Sequence, residues 1–555
     1  MKLFYKTTLA GSLGLLLLVV VNACKKPTED VNLIINTSLL SKAPALIQFI
    51  NANPNSTTNL PASFAVTISG TGANLVQVDG GGTNFTAVNG LLPLTLTKNA
   101  NPSPNNPVTY HIYASVPGFA PVSKTITVTG TKASAPVIAL VEYANPALGT
   151  SAVARQTALT AGTSAAMSLN ILVSAGNTEA ASITIPAGTQ LLDANKTVIN
   201  STQLKSNVVY FGTGNTASLS AFPGGFNPEN TIGPNGQPIP EGTTFVTAGL
   251  LSINMMAGAT AVKNFSKPVI LSMEINSTLV NPQTKQLVKA GDSIPIWSLN
   301  EETGQWKYET TADIFRNGNG KLAVSFPITH LSGWSANWYG ATCTSTLNVT
   351  LRIPNTTQEL AGDYLISLTT ANEQAVSTFT TSQIQDGFTT VLSDYPADAG
   401  DLKLIVYTRS GNTLTKLGET SAFSPCSKGT VEVTLGTQTV EDLVKTHIKV
   451  TAKCTTQQVV AYPSAWVTLK DATTGQTTNI YMTDGLATAN LINGHSYSIN
   501  TTYAGKSYKS AAFKLDKAAG VTIPAVNGLS GTTSYDSSTN TINVDATFTL
   551  TNCGS

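Results

Sequence analysis

Val108-Thr109-Tyr110-His111-Ile112-Tyr113 is followed, beyond Pro117-Gly118-Phe119, by Lys124-Thr125-Ile126-Thr127-Val128. Apolar and polar residues alternate through most of both runs. A period of two places one set of side chains on each face of an extended chain, so each run reads as a half-buried strand. The period recurs upstream in Phe64-Ala65-Val66-Thr67-Ile68 and downstream in Leu347-Asn348-Val349-Thr350-Leu351. Clusters of Gly, Asn, Asp and Pro separate the runs, as turns require. After Val21, Ser382 to Asp386 and Val440 to Val444 read as short helical turns. The expected fold class is all-β, a series of tandem β-sandwiches.

Composition points the same way. The chain has 555 residues, enough for three to five domains at roughly 100–200 residues each. Charged residues are only 11%, about half the usual share. That excludes a charged disordered chain, a coiled coil and a nucleic-acid binder. The four arginines, Arg155, Arg316, Arg352 and Arg409, are too scattered for a phosphate-binding stripe.

The N-terminus carries an address. Lys2 and Lys6 precede an apolar stretch, Thr7 to Val21, which is short for a membrane span. Val21-Asn22-Ala23-Cys24 then resembles a bacterial lipobox. The resemblance implies that residues 1–23 are a signal peptide. It also implies that Cys24 is lipidated, with palmitate among the acyl chains. Residues 24–30 form a polar tether whose Glu29 and Asp30 resemble the surface-export signal of Bacteroidota lipoproteins. The expected location is the outer membrane, reached through the N-terminal lipid, with the periplasmic or extracellular face left open.

Four further cysteines, Cys343, Cys426, Cys454 and Cys553, allow three pairings. Export permits disulfides, and no CxxC motif suggests zinc or redox chemistry. Cys343–Cys426 and Cys454–Cys553 are the expected pairs, because each brackets one expected domain.

Four units are expected: residues 31–142, 143–341, 342–436 and 437–555. The close of the first, through Gly118-Phe119 and Val122 to Val128, resembles immunoglobulin-like or carboxypeptidase-regulatory-like domains. In the second, Ile185-Pro186-Ala187-Gly188-Thr189, Pro295-Ile296-Trp297, Thr303-Gly304-Gln305-Trp306 and His330-Leu331-Ser332-Gly333-Trp334 resemble a β-sandwich module of extracellular proteins. That resemblance implies structural roles for His330, Trp297, Trp306 and Trp334. The fourth unit carries Ala465 to Gly475, Thr483-Asp484-Gly485-Leu486-Ala487 and Leu491 to Tyr497. This order is similar to the transthyretin-like regulatory domain associated with carboxypeptidases, in which Leu491 and Tyr497 cover the open end.

Chemical motifs are weak. Gly291-Asp292-Ser293-Ile294 matches the nucleophile block of one lipase group, but Pro295-Ile296-Trp297 keeps the chain extended where a helix is needed. His111, His330, His447 and His495 lack ligand spacing. Glu301-Glu302 and Glu441-Asp442 are adjacent, so each pair diverges and reads as solvated turn charge. Trp297 and Trp306 are expected to pack on the core side of a hairpin turning at Asn300 to Gly304, and Trp338 to be partly exposed. No catalytic residue, metal or cofactor is expected. The sequence therefore reads as a non-catalytic lipid-anchored protein with a binding or adhesive surface for a surface protein. The alternative is a glycan-binding lipoprotein of a polysaccharide-uptake system.

Overall fold

The computed structural model describes residues 33–36, 42–226, 228, 231–240, 242–356, 360–392, 395–410, 413–437, 442–455, 459–503, 506–518, 520–526 and 528–550. Cys24, the expected lipidation site, the expected signal peptide and tether, and Cys553 lie outside them. The described chain is tandem β-sandwiches. Its helices are one short α-helix, Thr216–Ser220, and a 3-10 turn, Ala73–Leu75. No described helix is long and apolar enough to cross a membrane. Of the expected helical turns, Ser382 to Ile384 ends the Ala375–Ile384 strand and Leu443 opens the Leu443–Cys454 strand. Both strands are paired in sheets, and ladder bonding outweighs a weak local helical preference.

The chain divides into two compact units. One spans residues 41–443; the other joins 33–36 to most of the stretch from 444 onward. Three sandwiches lie in the first. The N-terminal one places Lys42–Asn51 and Leu91–Leu96 in one sheet and Val108–Ala114 with Val122–Val128 in the other. Alternate residues meet between them, among them Ile47, Phe49, Leu92, Leu94, Tyr110 and Ile112.

In the second sandwich, Thr243–Ala257 runs between Gln203–Phe211 and Gly333–Ala341. Both faces of this strand are covered. Leu251, Ile253 and Met255 join the sandwich core. Phe245 and Leu250 join a separate cluster on the opposite face, with Trp297, Trp306, Ala120 and Val141. A strand buried on both faces has no polar side, which explains the nearly unbroken burial from Thr243 to Leu251.

The third sandwich pairs Leu347–Arg352 with Thr389–Leu392 and, in parallel, with Thr430–Thr434. The Cys343–Cys426 disulfide is formed, with Cα atoms 5.2 Å apart. Cys454 is also disulfide-bonded, while the Cys553 half of the expected pair lies outside the described residues.

The second unit holds the fourth sandwich. Leu443–Cys454 and Thr541–Leu550 run parallel at the centre of one sheet, and Ala465–Asp471 pairs with Ser496–Tyr503 in the other. Leu491 and Tyr497 are buried, and the Tyr497 hydroxyl accepts the Ile492 N–H at 2.9 Å. One strand corrects the expected start of the first domain at residue 31. Leu33–Asn36 pairs in parallel with Val459–Tyr462, at the edge of the fourth sandwich's sheet. An open edge gains backbone bonds from any extended segment that reaches it, and a local sequence period does not name that partner.

Candidate functional site

Two clusters of chemically capable side chains lie on the second sandwich. The first is built on the hairpin between Ser293–Asn300 and Gln305–Asp313. Asn300 closes the turn: its side-chain oxygen accepts the N–H groups of Glu302 and Thr303 at 3.1 and 3.2 Å. Gly304 has φ +70°, and a Cβ there would collide with His111 Nδ1. The hairpin tip is thus seated directly on the first sandwich.

His111 receives it. A carbonyl only accepts, so His111 Nε2 carries the proton and donates to the Glu301 carbonyl at 3.2 Å. The Ser123 oxygen lies 3.0 Å from the same nitrogen, and the Thr125 hydroxyl lies 3.4 Å from Nδ1. Burial pushes the His111 pKa down, against the opposing pull of the Glu301 carbonyl. The imidazole therefore acts as a neutral cross-link. Glu301 turns inward from the same tip. Burial raises its pKa to about 7, although the Ser252 hydroxyl donates to it and Lys263 attracts it. Burial, then the charges of Glu301 and Glu302, pushes Tyr113 up to about 12. Glu301 is accordingly not the solvated turn charge expected. Glu302 is, with its side chain 59% exposed beside Lys263.

This joint also holds two of the tryptophans. Trp297 and Trp306 are fully buried against Phe245, with ring centroids 5.0 and 5.2 Å away. They lie on the outer face of the sheet, at the joint, and not in the second sandwich's own core as expected. Hairpin register explains this: Leu299 faces Trp306, and a bulge precedes the pairing of Trp297 with Tyr308. The Trp297 indole N–H donates to the Asn337 carbonyl at 3.0 Å. Trp338, expected to be partly exposed, is 0% exposed in the inner core, and its N–H donates to the Ser293 carbonyl.

The second cluster centres on His330. Ser332 Oγ lies 3.2 Å from His330 Nδ1, and His330 Nε2 lies 3.4 Å from Glu309 Oε1. Ser298 and Lys307 donate to that same carboxylate oxygen at 2.8 and 3.1 Å. Burial alone would raise the Glu309 pKa, but bonds from His330, Ser298 and Lys307 outweigh it and hold the carboxyl at about 2. The His330 ring packs 4.9 Å from the buried Trp334 ring. The imidazole is partly open to solvent, with its side chain 32% exposed. Its roles are to cover Trp334 and to tie the Leu322–His330 strand to Gln305–Asp313.

Serine, imidazole and carboxylate in line are the parts of a hydrolytic triad. Here Ser332 and His330 are two residues apart at one strand turn, and Lys307 shares the carboxylate. Ser293, the other candidate nucleophile, donates to Asp313 at 2.9 Å. His495 meets Asp471 at 2.8 Å in the fourth sandwich. His447 stands exposed on the Leu443–Cys454 strand. Among the described residues, no group of three His, Cys, Asp or Glu side chains could hold a metal.

No protein-family model matches the chain. No curated protein matches it in sequence. Among solved structures it is similar to the pilus adhesin SpaC of Lactobacillus rhamnosus GG, at 10% identity and TM-score 0.15, over 73% of this chain. The match spans 56% of that adhesin's length. The major pilin BcpA of Bacillus cereus matches 72% of this chain and all of its own, at 10% identity and TM-score 0.13. The major pilin RrgB of Streptococcus pneumoniae matches 91% of this chain and all of its own, at 9% identity and TM-score 0.12. Superpositions this loose carry no weight for function. The fold rests on the sheets described above.

Proposed function

We propose that the chain is a non-catalytic, lipid-anchored envelope protein whose sandwiches hold out a binding or adhesive surface. The Cys343–Cys426 disulfide carries the reading. Such bonds persist in oxidising compartments outside the cytoplasm. The Val21-Asn22-Ala23-Cys24 motif supplies the export route and the anchor, and two or more acyl chains on Cys24 give lasting attachment. The joint at His111, Trp297 and Trp306 supports a spacer role, because it couples two sandwiches through buried contacts. An adhesive surface is favoured over a glycan platform, since all five tryptophans are buried and none is free to stack on a sugar face.

Growth of an expressing diderm bacterium with an alkyne-bearing palmitate analogue tests the anchor. The wild-type chain should be labelled and sediment with membranes. Cys24→Ala should be unlabelled and soluble. Labelling of Cys24→Ala, or an unlabelled wild type, would reject the reading.

A further inference from the structure

The fourth sandwich sits at a fixed chain distance from the anchor. Leu33 follows Cys24 by nine positions, and nine residues span at most about 30 Å when fully extended. The Leu33–Asn36 strand is hydrogen-bonded into the same sheet as Leu443–Cys454, with only Val459–Tyr462 between them. Whatever holds Cys24 therefore holds that sheet close by.

The strand so delivered is basic on its outer face. In Leu443–Cys454 the even positions Val444, Ile448 and Val450 enter the core. The odd positions Lys445, His447, Lys449 and Lys453 are exposed. Side chains two apart on a strand share a face, so these four form one row. The neighbouring strand sets Thr541 beside Lys445, Asn543 beside His447, Asp545 beside Lys449 and Thr549 beside Lys453. Across that strand, Asp536 lies beside Thr541. Charge is also divided along the chain. Residues 444–555 hold eight lysines against five aspartates, whereas residues 31–443 hold 19 basic and 23 acidic residues. The excess of positive charge thus lies in the sandwich that the chain reaches first after Cys24.

We infer that the Lys445, His447, Lys449 and Lys453 face of the fourth sandwich rests on a membrane surface, binding the anionic phosphates of lipid headgroups. The inference builds on the anchored reading, since the tether length matters only if Cys24 is acylated. Each lysine near an anionic surface adds attraction that salt screens. Lipid anchoring and headgroup contact together would fix the orientation of the sandwich, which one flexible tether alone does not.

The test uses the mature-length chain carrying Cys24→Ala, so that no acyl chain contributes. Flotation with phosphatidylglycerol–phosphatidylcholine vesicles should show salt-sensitive binding that phosphatidylcholine vesicles lack. K445E/K449E/K453E should weaken it by about tenfold or more. K196E/K285E/K289E, which reverses three exposed lysines elsewhere, should bind as the parent does. Matching circular dichroism melts would establish that both variants fold. Absence of binding to the anionic vesicles, or an equal loss in both triple variants, would overturn the inference. Because this protein lacks the acylation site, the result stands whatever the palmitate experiment gives.

Discussion

Glu301 shows how one side chain can make the joint sensitive to pH. Its carboxyl titrates near 7 in the folded chain, against an ordinary value of 4.5, chiefly because burial disfavours the charge. A raised folded pKa means that the native state binds the proton more tightly than the unfolded state. The associated stability is therefore present below the unfolded value and is lost as pH rises through about 7. Glu301→Gln should remove that loss while keeping an oxygen to accept the Ser252 hydroxyl. Calorimetry should find the variant more stable by about 1–3 kcal/mol at about pH 8, with the difference vanishing near pH 4. A difference independent of pH would show that the carboxylate is not the cause. Gly304→Ala tests the same contact sterically. The added carbon meets His111 at a positive φ, and the expected cost is about 1–3 kcal/mol in thermal unfolding. The Asn300 to Gly304 turn was legible from its residue types. The inward turn of Glu301 was not, because adjacency in sequence says only that two side chains diverge, not which one meets a neighbouring domain.

Among the elements, strands announced themselves wherever one face is wet. Leu347–Arg352 alternates in burial as in sequence, whereas Val108–Ala114 alternates in sequence but has His111 of its outer face buried against the second sandwich. Thr243–Ala257 obeys a different rule, since neither face reaches water over its first eleven residues. There a nearly continuous buried run marks the strand, and Trp297 and Trp306 could not be assigned to one side from sequence. The third sandwich adds a covalent element. Cys343 and Cys426 are separated by 83 positions, and a cross-link of that span removes enough unfolded-chain entropy to contribute about 4–5 kcal/mol. Paired Cys343→Ala and Cys426→Ala substitution, or reduction, should lower the unfolding transition of this sandwich by that order in denaturant titration. An unchanged transition would mean that the bond adds nothing beyond the packing of Leu347, Val349 and Leu351.

For the whole molecule, the feature least visible in sequence is the pairing of Leu33–Asn36 with Val459–Tyr462. The two segments are more than 400 positions apart, and no periodicity carries information over that distance. A chain beginning at residue 37 should unfold its fourth sandwich at lower temperature and self-associate through the bared strand edge. Light scattering alongside a melt would show both effects, and an unaltered melt would mean that the strand is dispensable. The pairing also makes the polypeptide a ring closed by hydrogen bonds. A protease nick anywhere between residues 42 and 443 would break the backbone yet leave the C-terminal fragment clasped to the first few dozen residues. Cleavage in the middle would then not shed the end, and the fragments should part only under denaturant.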